Sequence, residues 1–231
     1  MIKAVNLARS YRVGEVTIDA LRPTSIEVAQ GEFVAITGPS GAGKSTLLYQ
    51  LGLLDNPSEG TVFIEDADTS LLSEAEKTKI RLNKLGYVFQ DYSLLPELSA
   101  HDNVAVLLLM LGMSKKEAYE KAAAVLERLG LGARKDNFPS QLSGGEQQRV
   151  SIARAVAHDP VALLADEPTA NLDSQTSQQV INYLFELNRN GQTILMVTHE
   201  QEYSERARRI ITLRDGAIVS DTLRQTAQQS I

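Results

Sequence analysis

Gly38 to Thr46 read GPSGAGKST, a glycine-rich turn between the apolar run Phe33-Val34-Ala35-Ile36 and the helix-forming stretch Lys44 to Leu54. No other segment constrains the fold as much. The glycines let backbone N–H groups converge on an anion, and the helix starts there with its positive dipole end. In this cradle, made of Gly38, Pro39, Ser40, Gly41, Ala42, Gly43, Lys44, Ser45 and Thr46, Lys44 is spaced to reach the outer phosphates of a nucleotide and Ser45 to ligate Mg²⁺. By composition, such a pattern arises in a chain of this length with a chance of roughly 1%. A turn that only packed a helix on a sheet has no use for a lysine aimed into the loop.

Further apolar, β-branched runs recur at Leu163 to Ala165 and Thr193 to Thr198, each flanked by helical periodicity. They fit strands buried on both faces of a parallel sheet. Each run ends in polar residues: the phosphate loop after the first, Asp166-Glu167 after the second, His199 after the third. Ligands of open α/β sheets bind beyond the carboxyl ends of the strands, so the three segments point to one crevice. The first thirty residues and Gly60 to Glu65 alternate as strands of an antiparallel layer, and Ile210 to Leu213, Asp215-Gly216 and Ala217 to Val219 read as a hairpin.

Between Asp91 and His158 the pattern turns helical, with KKEAYEKAAAVLERL over Lys115 to Leu129 closed by Gly130 and Gly132. The expected fold is therefore α/β: a P-loop NTPase (RecA-like) core with a mostly parallel sheet, an N-terminal antiparallel β layer and an inserted α-helical subdomain. The 231 residues, 43% hydrophobic, suit a single domain 1–231, with core 1–90 and 159–231 and the helical subdomain at 91–158. A short polar tail follows from Arg224. The net charge of −6 offers nucleic acid no generic attraction, so no nucleic-acid partner is expected. With no cysteine there is neither a disulfide framework nor a thiolate metal site. The N-terminus lacks an apolar signal core, and the longest apolar run, Val104 to Leu111, falls short of the roughly 20 residues that span a bilayer. Work at a membrane would then be peripheral.

Leu142-Ser143-Gly144-Gly145-Glu146 precedes a helix running through Gln147-Gln148-Arg149 to Ala157. Two readings stand: a second nest of free N–H groups with a hydroxyl at its mouth, or an ordinary capped helix. Likewise Asp166-Glu167 is either a reactive pair delivered to the sheet edge ahead of Pro168 or a solvated pair of acids.

Taken in order, GPSGAGKS, Gln90 after an apolar run, LSGGEQQR, LLADEP, NLD and His199 resemble the motif set of an ATP-binding cassette ATPase over essentially the whole chain. In that family two cassettes pair head to tail, so the resemblance implies a homodimer in the ATP state. Ser143, Gly144 and Gly145 of one copy would then close over the nucleotide on the other. It implies ATP and Mg²⁺ as cofactors, Asp166 and Gln90 beside Ser45 at the metal, Glu167 as general base, His199 as the γ-phosphate switch, and Asn171 and Asp173 at the dimer interface. Catalysis would rest on Glu167, His199 and Lys44. Tyr11 sits where the family often stacks an aromatic on adenine; an exposed strand tyrosine is the plainer reading. Glu146 stands where glutamine is commoner, leaving the Ser-Gly-Gly seat whole.

Residues 10–15, Leu71 to Phe89 and Tyr92 to Ser99, with DEPTANLD, are similar to bacterial cassettes of the lipoprotein-release and macrolide-export type. That branch implies an integral membrane permease, accessory proteins outside the membrane reached through it, and a place on the cytoplasmic face of the bacterial inner membrane. Amino-acid or metal importers and a cell-division complex carry nearly the same motifs. A DNA or ribosome ATPase of the group is disfavoured, because about a hundred residues without sustained heptads separate Lys44 from Ser143 and there is one phosphate loop.

Overall fold

The computed structural model describes residues 1–224; the polar tail beyond Arg224 lies outside the described residues. The described residues divide into two compact units, 1–77 with 193–224, and 78–192.

In the first unit, β1 (Ile2–Val13) and β2 (Val16–Val28) form a long antiparallel hairpin, and β4 (Glu59–Ile64) and β5 (Ala67–Asp68) extend it in the order β2-β1-β4-β5. Ile2 and Ala4 on β1, Ile26 and Val28 on β2, and Val62 and Ile64 on β4 alternate onto its buried face, the period-2 signature of a half-covered sheet, while the buried Leu7 lies beyond a register shift in β1. The strand β3 (Phe33–Thr37) lies between β8 (Thr193–Val197) and β9 (Arg209–Arg214), parallel to both, and β10 (Ala217–Leu223) returns antiparallel to β9. Every residue of β8, and all of β3 but Thr37, is buried, which is why both read as unbroken apolar runs. Arg209 ties this end together: Nε and Nη2 fork onto Asp221 at 2.7 Å each, and Nη1 donates to the Glu27 carbonyl at 2.7 Å and to Glu32 at 3.2 Å.

Helix α1 (Lys44–Leu51) stops three residues short of the expected Leu54, because Gly52 caps it and Leu53 turns left-handed at φ 58°. It carries an oddity. Gln50 is wholly buried, and neither end of its amide meets a hydrogen-bond partner among the described residues. Burial of an unsatisfied polar group costs about 1–3 kcal/mol, so Gln50→Leu is expected to stabilise the fold by about 1–2 kcal/mol. For a chain of this size that is roughly 2–8 °C in thermal midpoint. Calorimetric melting of the two proteins checks it, and an unchanged or lower midpoint would mean that a water or an unseen partner satisfies the amide.

The second unit holds most of α2 (Glu74–Lys84), then β6 (Leu85–Val88) parallel to β7 (Ala162–Asp166), and helices α3 (Ala100–Met110), α4 (Lys115–Arg128), α5 (Gly144–Val156) and α6 (Ser174–Arg189). A short α7 (Gln201–Ser204) belongs to the first unit. Val104, Leu108, Val125, Leu126, Val150 and Ile152 face inward from α3, α4 and α5. Their helix starts are fixed by side chains: Ser99 for α3, a Ser114–Glu117 box for α4 and a Ser143–Glu146 box for α5.

Candidate functional site

In the first unit the expected phosphate loop, residues 38–43, leaves the carboxyl end of β3 and enters α1. Pro39, Ser40 and Gly41 are exposed, Ala42 is buried, and Gly38, Ser45 and Thr46 are half-buried. Gly43 begins the helix at φ 92°, and a Cβ there would lie 2.3 Å from the Ala20 carbonyl, so no other residue fits. Helices α3, α4, α5 and α6 each have a side-chain N-cap, whereas α1 has none and no acid in its first turn. No side chain or first-turn acid therefore answers the positive dipole end of α1. Lys44, 7% exposed, folds back into the loop and donates to the Gly38 and Pro39 carbonyls at 3.0 Å each. An ammonium without an acid is costly to bury, and the two carbonyls stand in for one.

His199 leaves β8 one residue after Thr198, whose N–H donates to the Ile36 carbonyl at 3.1 Å. Since β3 and β8 run parallel with Ile36 opposite Val197, the exposed His199 and the phosphate loop emerge at the same sheet edge. Tyr11, on β1, is 38% exposed; its hydroxyl donates to Asp55 at 2.8 Å.

In the second unit the parallel register sets Val88 beside Ala165, so Asp166 ends one strand of the pair and Gln90 and Glu167 follow the two carboxyl ends. Asp166 is 7% exposed. Glu167 is left-handed at φ 44°, a conformation rare outside glycine and costing about 1–2 kcal/mol. Asn171 Nδ2 donates to the Gln90 carbonyl at 2.8 Å, and Asp173 caps α6 by accepting from the Thr176 amide at 3.0 Å and hydroxyl at 2.6 Å. Those bonds from the Thr176 hydroxyl, then its amide, hold the Asp173 carboxyl below its usual range.

Ser143, Gly144 and Gly145 open α5. The Ser143 amide donates to Glu146 at 2.8 Å and the Glu146 amide to the Ser143 hydroxyl oxygen at 3.3 Å, so the capped-helix reading is present within the chain. A Cβ on Gly145 would meet the Thr176 methyl at 2.0 Å; the glycine lets α5 approach α6. The Ser143 amide, ahead of the Arg134 guanidinium 3.2 Å away, holds the Glu146 carboxyl below its usual range. Glu146 is therefore an ionised capping acid paired with Arg134.

A family profile for ABC transporters matches residues 21–170, which include the phosphate loop, the Ser143 seat and Asp166-Glu167. The chain belongs to the ABC transporter ATPase family. This ABC ATPase is 46% identical over 224 residues to the lipoprotein-releasing system ATP-binding protein LolD of Aquifex aeolicus, covering 97% of the chain and 98% of that protein. It is 45% identical over 218 residues to an uncharacterized ABC transporter ATP-binding protein of Thermotoga maritima, covering 94% and 93%. The macrolide export ATP-binding/permease protein MacB of Chlorobaculum tepidum is 46% identical over 231 residues, and there the cassette spans 35% of the longer protein. A solved dimeric post-hydrolysis state of the ATP-binding cassette MJ0796, bound to ADP and Pi, superposes with a TM-score of 0.90 at 42% identity, covering 96% of this chain and 98% of that one. The P-loop NTPase fold expected from the sequence is thereby shown, and so is the role of ATP-binding, ATP-hydrolysing transporter subunit.

Two positions in this cassette had no sequence signal. Arg9 shares a carboxylate with Tyr11 through Asp55, a residue 46 positions away. Arg154, on α5, donates to the carbonyls of Ser93 at 2.6 Å and Tyr92 at 3.2 Å, both left-handed residues just past Gln90. Its i, i+5 place after Arg149 looks like any helix-face arginine. Among the described residues, no helix is long and apolar enough to cross a membrane.

Proposed function

We propose that this cassette drives a bacterial membrane permease of the lipoprotein-release or macrolide-export type, pairing with a second copy of itself when ATP binds. The observation that carries the branch is the end-to-end match to LolD, alongside the match to the ATP-binding part of MacB. The permease is an integral membrane subunit, with accessory proteins outside the membrane reached through it, and the cassette works from the cytoplasmic face. Residues 91–158 form the helical insertion that carries the Ser143 seat, and 1–90 with 159–231 form the nucleotide-binding core.

The loop amides of residues 38–46 and Lys44 hold the phosphates, and Tyr11 takes the base. Ser45, Asp166 and Gln90 offer only hard oxygen donors, the set Mg²⁺ prefers beside phosphate oxygens. When bound, the ion neutralises charge on the β- and γ-phosphates. Glu167 polarises the attacking water, and His199 contacts the γ-phosphate. The Ser143 hydroxyl proton and the amides of Gly144 and Gly145 serve the γ-phosphate held by the other copy, with Asn171 and Asp173 along that junction. Dimeric solved relatives support the pairing.

Light scattering tests it on Glu167→Gln, a variant that retains ATP. MgATP is expected to double the mass of the particle, and Ser143→Arg added to the same chain is expected to keep it at one copy while ATP still binds. A mass that MgATP leaves unchanged in Glu167→Gln would overturn the two-copy site.

A further inference from the structure

Tyr11 is not a free strand tyrosine. Its hydroxyl donates to one Asp55 oxygen at 2.8 Å, Arg9 Nη2 donates to the other at 2.8 Å, and the Arg9 guanidinium carbon lies 4.5 Å from the Tyr11 ring centroid. The three groups close a ring of contacts. Residues 9 and 11 share a strand face, so a cation at position 9 can lie over the aromatic at 11. Arg9 and Asp55 are both about three-quarters covered, at 23% and 24% side-chain exposure, so water screens the pair less than an ordinary surface bridge. Arg9 Nε is shut away from solvent and has no hydrogen-bond acceptor among the described residues, which leaves the π face of Tyr11 as its compensating contact.

We propose that Arg9 and Asp55 are positioning residues for nucleotide binding, clamping the Tyr11 ring so that its open face is preset to receive the base. This rests on the reading of Tyr11 as the residue that stacks on the base. A strand tyrosine ordinarily samples two χ1 rotamers. Tethering the hydroxyl selects one of them, and the guanidinium occupies one face, so the exposed remainder of the ring is where a base can lie. The ring is ordered before the ligand arrives, and binding is spared the loss of that freedom. Three layers result: guanidinium, phenol ring and purine. The hydroxyl is consumed by Asp55, so the ring reads a flat π surface and leaves the base's edge unread.

Calorimetric titration with MgADP and, separately, with magnesium pyrophosphate distinguishes this clamp from its rivals, since pyrophosphate fills the phosphate loop without a base. Arg9→Ala is expected to weaken MgADP about 3- to 10-fold and leave pyrophosphate unchanged. Tyr11→Ala is expected to weaken MgADP more, about 5- to 100-fold, again sparing pyrophosphate. In the Arg9→Ala/Tyr11→Ala double variant the arginine change is expected to add nothing, because its effect passes through the ring. If Arg9→Ala fails to fold, Tyr11→Phe carries the same test: it loses only the tether, so MgADP weakens modestly and pyrophosphate does not. Equal loss of both ligands in Arg9→Ala would make Arg9 a source of charge for the phosphates and overturn the clamp. Parental MgADP affinity in Arg9→Ala or Tyr11→Phe, with a weakened Tyr11→Ala, would overturn the clamp and leave the stacking reading standing. Parental affinity in Tyr11→Ala would overturn both.

Discussion

Glu167→Gln is expected to bind MgATP as the parent chain does while its turnover falls at least about 100-fold, the lower end of what a positioned general base contributes. The substitution is nearly isosteric. Glutamine has the same branching at Cβ and meets the same penalty at φ 44°, so the strained turn before Pro168 changes equally little in fold and in energy. What disappears is the negative oxygen able to draw a proton from water. Asp166, one residue earlier on β7 and 7% exposed, is untouched, so nucleotide affinity and the proposed metal site are expected to survive. Phosphate release measured against ATP affinity on the same preparation separates the two steps. Turnover within a few-fold of the parent would remove Glu167 from the chemistry and make its left-handed backbone a feature of the turn alone.

The strands and the phosphate loop were legible because their causes are local. A strand buried on both faces must be mostly apolar, so Phe33–Thr37 and Thr193–Val197, each with a single threonine at one end, declare themselves, and a loop that wraps an anion must carry glycine at fixed offsets. The start of α5 was less legible. Gly144 and Gly145 are poor helix formers and disguise the first turn, which exists because the Ser143–Glu146 box secures it. The family resemblance implies Asp173 at the junction between copies, and the D-x-x-T spacing that makes it the α6 cap is equally readable. One carboxylate can serve both, since its cap with Thr176 uses lone pairs and leaves others. Contacts between distant segments had no sequence signal at all. Nothing in the order of residues joins Arg9 to Asp55, or Arg154 to the carbonyls of Tyr92 and Ser93, because those pairs meet only once sheets and helices are packed.

Lys44→Ala is expected to raise the dissociation constant for MgATP about 10- to 100-fold, the worth of one charge-assisted hydrogen bond to a phosphate. The geometry says why the loss falls on the ligand more than on the fold. Lys44 Nζ holds the Gly38 and Pro39 carbonyls at 3.0 Å, but Pro39 is exposed and Gly38 half-buried, so water replaces the ammonium at both once it is gone. The nucleotide-free melting temperature should therefore move by no more than roughly 2–4 °C. The stabilisation by saturating ATP should shrink more clearly, because a ligand that binds only the folded chain stabilises it in proportion to the logarithm of its concentration over its dissociation constant. Melting each protein across a series of MgATP concentrations gives both quantities. An alanine variant whose midpoint climbs with ATP along the parental curve would show that the loop amides and the uncapped start of α1 bind the phosphates unaided, with the lysine serving only to brace the empty loop.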